Sequence, residues 1–72
     1  MRKMPAMSVA KVIEISSTSS KGFEDAISSG IAKAGETVRG IEGAWVKEQK
    51  VVVNDNQVTE YRVNLSITFK LD

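Results

Sequence analysis

Residues 59–71, TEYRVNLSITFKL, alternate without a break. Tyr61, Val63, Leu65, Ile67, Phe69 and Leu71 fall on one side, and Glu60, Arg62, Asn64, Ser66, Thr68 and Lys70 on the other. Side chains alternate in this way only along a β-strand, so the run is a strand with one apolar face and one polar face. The rest of the chain must cover the first face, and something must answer the second.

The cover comes from upstream. Phe23, Ile27, Ile31, Ala34 and Val38 recur at spacings of three and four, which predicts an amphipathic helix from Gly22 to Arg39, ended by Gly40. Glu24 and Asp25 stand in its first turn, where the helix dipole favours acids. The preceding SSTSSKG reads as a loop, with Ser19 or Ser20 as N-cap. Gly30 and Gly35 lie inside the predicted helix at a cost of about 1 kcal/mol each relative to alanine. They mark either a close approach by the sheet or a neighbouring subunit, or tolerated imperfection.

Two further strands complete the pattern. VAKVIEI, residues 9–15, places Val9, Lys11, Ile13 and Ile15 opposite Ala10, Val12 and Glu14. A second strand runs from Ala44 to Val53 into Asn54, Asp55 and Asn56, which suit a tight hairpin turn. The order β-α-β-β makes this an α+β chain. A right-handed crossover sets the first strand parallel to the second, and the third lies between them, antiparallel to both. The three-stranded sheet curls around one helix. Residues 1–7 are expected to be a flexible N-terminal tail, and residues 8–72 the domain.

A chain of 72 residues without cysteine buries only about 60% of the surface that its unfolded form exposes. Oligomerisation is a common remedy where disulfides are lacking. The formal charge of +1 supplies no strong field toward nucleic acid or an anionic membrane. No apolar run reaches the roughly 18 residues of a membrane span, and no leader-like segment opens the chain, so a cytoplasmic location is expected.

Histidine and cysteine are absent, and no glycine-rich phosphate loop is present, which argues against an enzyme. Function is therefore sought on the polar sheet face. Alternation through the second strand points Ala44 and Val46 at the helix and turns Gly43, Trp45, Lys47 and Gln49 outward, beside Arg62, Asn64 and Ser66. Val51 and Val53 are assigned to the same outward face. The only tryptophan would then be exposed in a lone subunit, as an interface residue or a stacking platform. Trp45, Arg62, Gly43, Lys47 and Gln49 are the candidate binding residues, and no metal-ligand set is apparent.

The strings SVAKVIEI, TSSKGFEDAI, ETVRGIEGAWVKEQ and EYRVNLSITFKLD, in this order and spacing, resemble the dodecin family. That resemblance implies a β-α-β-β fold, a hollow homododecamer with the sheet faces turned inward, and non-catalytic binding of a flavin such as FMN or riboflavin. In motifs like DWFEV, the family's stacking tryptophan aligns with Gly43, and its acidic residue two positions later aligns with Trp45. A ring-bonding glutamine, in motifs like YQV, aligns with Arg62. Trp45 shares the strand face of the usual tryptophan, about 6.6 Å along, and would either stack a ligand from there or fill the gap over Gly43. A dodecin subgroup lacking the usual tryptophan, with a calcium-binding role, is similar around AWVKEQ and makes calcium the alternative ligand. Outside the family, an exposed sheet carrying Trp45, Tyr61, Lys47 and Arg62 would suit a small nucleic-acid or protein interaction module, against which stand the low net charge and the apolar-side placement of Tyr61.

Overall fold

A computed structural model describes residues 9–71; the expected N-terminal tail and the first and last residues of the expected domain lie outside them. Strand β1 spans Ala10–Ser19, helix α1 Phe23–Ala34, strand β2 Ile41–Asn54 and strand β3 Gln57–Lys70. The sheet order is β1-β3-β2, and both outer strands pair antiparallel with the central one. The alternating run that defines the chain is thus the strand on which both edges depend.

The core is built where α1 crosses the apolar side of β3. Ala26, Val63, Leu65 and Ile67 are buried, with Ile13, Ile15, Phe23, Ile27, Ile31, Ala34, Ile41 and Val46 packed around them. Phe23 meets Tyr61 edge to face at 5.2 Å, placing the tyrosine on the helix side. Gly30 is buried against β1: a Cβ there would lie 3.0 Å from Ser17 Cβ and 3.1 Å from Ser17 Oγ. The close approach inferred from sequence holds at Gly30, and the sheet makes it.

Three local expectations change. The serine-rich stretch is strand, not loop: Ser16, Ser17, Thr18 and Ser19 pair in register with Asn64, Val63, Arg62 and Tyr61. The central strand extends far enough to ladder with them, and backbone pairing outweighs the local hydroxyl bonds that serines offer a loop. Neither Ser19 nor Ser20 is the N-cap. Gly22 holds that position without a side-chain cap, while buried Ser19 donates from Oγ to Asp25 Oδ2 at 2.6 Å and accepts from the Lys21 N–H at 2.9 Å.

The helix also stops at Ala34, short of Arg39. Gly35 is its C-cap, so this glycine ends the helix and is not inside it. Glycine and the β-branched Thr37 and Val38 are poor helix formers, and the chain tightens through bonds from Glu36 N to Lys33 O and from Thr37 N to Ala34 O. Gly40, at φ +75°, is a separate left-handed turn whose carbonyl accepts the Lys70 N–H at 3.1 Å. The hairpin turn forms where expected, with Asp55 and Asn56 at φ +53° and +63° between the paired Asn54 and Gln57. Two successive positive φ values match the right-handed strand twist.

The helix is short for the sheet it covers. Its 12 residues span about 18 Å at 1.5 Å per residue, whereas the 14 residues of β3 run about 48 Å. The far half of the hairpin extends past the helix, and Val51, Val53 and Val58 along it are exposed. The radius of gyration is 15.6 Å, against about 11 Å for a compact chain of this length.

Gly30→Ala should lower the stability to chemical denaturation by about 1 kcal/mol, because crowding against Ser17 outweighs the gain in helix propensity. Gly43→Ala, with nothing within 4 Å of the added Cβ, should be close to neutral in the same assay.

Candidate functional site

The polar sheet face is a ladder of cross-strand rungs. In register from β1 through β3 to β2 they are Val12, Thr68 and Gly43; then Glu14, Ser66 and Trp45; then Ser16, Asn64 and Glu48; then Thr18, Arg62 and Lys50. Trp45 is 70% exposed on the second rung, and the space over Gly43 beside it is open. The indole therefore does not fill the gap that the glycine leaves.

The register slips between Val46 and Glu48, a β-bulge that puts Lys47 and Glu48 in consecutive places on one face. Lys47 reaches across the sheet to Glu14, Nζ to Oε2 at 2.8 Å. That hydrogen bond, and then the Glu14 charge, hold the Lys47 ammonium above its ordinary pKa of 10.5. On the next rung Ser16 Oγ donates to Asn64 Oδ1 at 2.9 Å, and Asn64 Nδ2 donates to Glu48 Oε1 at 2.8 Å. Arg62 holds Glu60, its strand neighbour two residues away, with Nη2 at 3.1 Å and Nε at 3.3 Å from Oε1. Ser16, Glu48, Gln49, Lys50, Arg62 and Asn64 line a cleft of about 550 Å³ on this part of the sheet.

The bulge also corrects part of the sequence expectation. Gly43, Trp45 and Lys47 belong to the polar face as expected, but Gln49 pairs with Val63 and Val51 with Tyr61, the helix-side register, although Gln49 still borders the cleft. Glu48 and Lys50 take the outward places instead. A further slip between Val52 and Val53 restores Val53 to the polar side, opposite Val58. Nor do Trp45 and Arg62 stand together within one subunit. Trp45 pairs with Ser66, four residues from Arg62 and so about 13 Å along β3.

Glu14, Ser16, Glu48 and Lys50, which also lie on the polar rungs, were not among the candidate residues. One signal was available: unbroken alternation from Val46 would turn the charges of Glu48 and Lys50 toward the helix side, an expensive placement that a slipped register avoids. Tyr61 packs on Phe23, so the four residues of the interaction-module reading do not share a face. Among the described residues no group of three or more acidic, histidine or cysteine side chains is arranged to hold a metal, and no helix is long and apolar enough to cross a membrane.

Comparison with known proteins places this geometry. A family model described as Dodecin matches residues 9–72. The chain is 36% identical to the dodecin of Thermus thermophilus over 64 residues, covering 89% of this chain and 93% of that protein. It is 37% identical over 65 residues to the calcium dodecin of Mycobacterium tuberculosis, covering 90% and 92% respectively. The crystal structure of a single-site variant of the Thermus protein superposes with a TM-score of 0.86 at 35% identity, covering 92% of this chain and 98% of that one.

The raised Lys47 pKa gives a direction for alkaline stability. Stabilisation from the Glu14 pair is fully present below the ordinary, unfolded pKa of 10.5 and is lost as pH rises through the higher folded value. Lys47→Met should therefore be less stable than the parent at neutral pH, with the difference closing in strongly alkaline buffer. NMR of the Lys47 side-chain nitrogen should show its midpoint fall in Glu14→Gln.

Proposed function

The chain belongs to the dodecin family, and on that footing we propose that it is a non-catalytic, self-assembling protein whose inward sheet faces hold a small ligand. The assembly is a homododecamer in this reading. What supports it is the mismatch between helix and sheet: half the hairpin has no cover of its own, and exposed valines line that half. Copies of the same chain would supply the missing cover and shield the polar rungs from bulk water.

The proposed ligand is a flavin, FMN or riboflavin. The observation that carries this is an indole lying 70% exposed beside the open space over Gly43, on the face that an assembly encloses. A flat aromatic ring can stack on that indole, and stacking of this kind contributes roughly 0.5–1.5 kcal/mol beyond the buried area. Lys47 and Glu14 would border it with a donor and an acceptor. A bound flavin would supply a redox-active, light-absorbing ring; the chain's part is to bind and enclose it.

Calcium is the second reading, supported by the similarity to a calcium dodecin. The acids on the polar rungs fit it less well. Glu14 is engaged by Lys47, Glu48 by Asn64 and Glu60 by Arg62, so a cation would have to displace these partners or draw ligands from several subunits.

Two measurements decide these points. Native mass spectrometry should find twelve chains of 7.8 kDa in one particle; a stable monomer at micromolar concentration would overturn the assembly. Riboflavin or FMN titrated into the protein should lose fluorescence at micromolar levels, and Trp45→Ala should weaken that binding about tenfold, the equivalent of 1.4 kcal/mol. If neither flavin is quenched but chelation loosens the particle, calcium takes the place of flavin.

A further inference from the structure

The contact between Lys47 and Glu14 spans the whole width of the sheet. Lys47 stands on β2 and Glu14 on β1, with β3 between them. Adjacent strands lie about 4.8 Å apart, so the two side chains together bridge about 10 Å and pass over the central strand. Their place along the strands is fixed as well. Glu14 shares the rung of Ser66 and Trp45, while Lys47 is the extra residue between the Trp45 and Glu48 rungs. The bridge therefore runs diagonally over β3 between Ser66 and Asn64, on the cleft side of the indole. Among the described residues no other ion pair spans three strands: Lys70 reaches Glu42 of the adjacent strand at 3.9 Å, and Arg62 reaches Glu60 of its own.

The other flank of Trp45 is open. Nothing lies within 4 Å of the place a Cβ on Gly43 would take. The rung beneath that space is Val12, Thr68 and Gly43, with Val12 exposed. The indole thus has a charged crossbar on one side and an uncharged shelf on the other.

We propose that Glu14 and Lys47 are positioning residues for Trp45: their bridge closes the cleft side of the indole and confines the ring of an aromatic ligand to the shelf over Val12, Thr68 and Gly43. This inference rests on the flavin reading above and deepens it. Ordering a side chain at the moment of binding weakens affinity, and an indole whose flank is already closed has less freedom to lose. Both partners of the bridge are largely exposed in the lone chain, where such a pair contributes little to folding. Enclosure of this face lowers the effective dielectric constant around the pair and strengthens it, so the crossbar is firmest in the assembled state that binds. The shelf suits a flat, uncharged ring. Val12 offers apolar contact, and at Gly43 the ring can approach the backbone closely.

The test uses the assembled protein and riboflavin as probe. Affinity is read from riboflavin fluorescence, and indole order from fluorine NMR of protein labelled with fluorotryptophan, in which Trp45 is the only label. The parent should give one sharp resonance. Glu14→Gln keeps the shape of the side chain and removes its charge; it and Lys47→Met should each broaden or split that resonance and weaken riboflavin about fivefold. The exchanged pair Glu14→Lys/Lys47→Glu should restore both. Gly43→Val should fill the shelf and weaken riboflavin at least about tenfold. Lys33→Gln, which removes the equally exposed pair with Glu36, should change neither readout. An unchanged resonance and unchanged affinity in both Glu14→Gln and Lys47→Met overturn the crossbar, and full affinity in Gly43→Val overturns the shelf; both results leave the stacking reading in place. If riboflavin does not bind the parent, the flavin reading falls, and the fluorine resonance alone decides whether the bridge holds the indole.

Discussion

One helix covering part of two strands, β1 and the central β3, holds this molecule together. The buried core is the patch where Ala26 meets Val63, Leu65 and Ile67, and other apolar side chains pack around its edge. Gly30 lets α1 settle against β1, because its missing side chain leaves room for Ser17 and Ile15. Beyond that patch the structure is backbone ladder with little interior. A chain of this shape leaves apolar surface exposed along the far half of the hairpin, and the polar side of the sheet has no cover within the chain.

The chemistry of that side is organised by the bulge in β2. By repeating a place on the polar face it moves Glu48 and Lys50 onto the rungs of Asn64 and Arg62, next to the Lys47–Glu14 pair at 2.8 Å. Exposed ion pairs contribute little stability individually, so these contacts matter less for folding than for the pattern they present. That pattern runs from an aromatic ring through neutral hydrogen-bonding groups to a concentration of positive charge, all along one direction of the sheet.

Much of this was legible in the residues. The alternation of 59–71 identified the central strand and its two faces, and the positive-φ turn at Asp55 and Asn56 appeared where turn-forming residues cluster. The outward placement of Trp45 followed from counting along β2. Counting failed just after Lys47, since a bulge is a property of two strands' register and leaves only an indirect mark, the charges that would otherwise turn inward. Helix limits failed for a related reason: Val38 fits the helical period, but Gly35 and two β-branched residues end the helix before the period does. The serines of β1 read as loop until the length of their partner strand is known. Separating Trp45 from Arg62 likewise required the pairing in space.

The placement of β3 between β1 and β2 bears on how the chain is made. Strands usually pair with neighbours in sequence, but here the N-terminal strand can find its partner only after residues 57–70 exist. On a ribosome, where chains emerge at roughly 5–20 residues per second, β1 and α1 must wait for seconds without the surface they pack on. The two-residue turn lets β2 and β3 pair quickly, on the order of microseconds, once both are present. The hairpin then becomes the template onto which the earlier part of the chain folds back, so the sheet is completed in the reverse of the order in which it is synthesised.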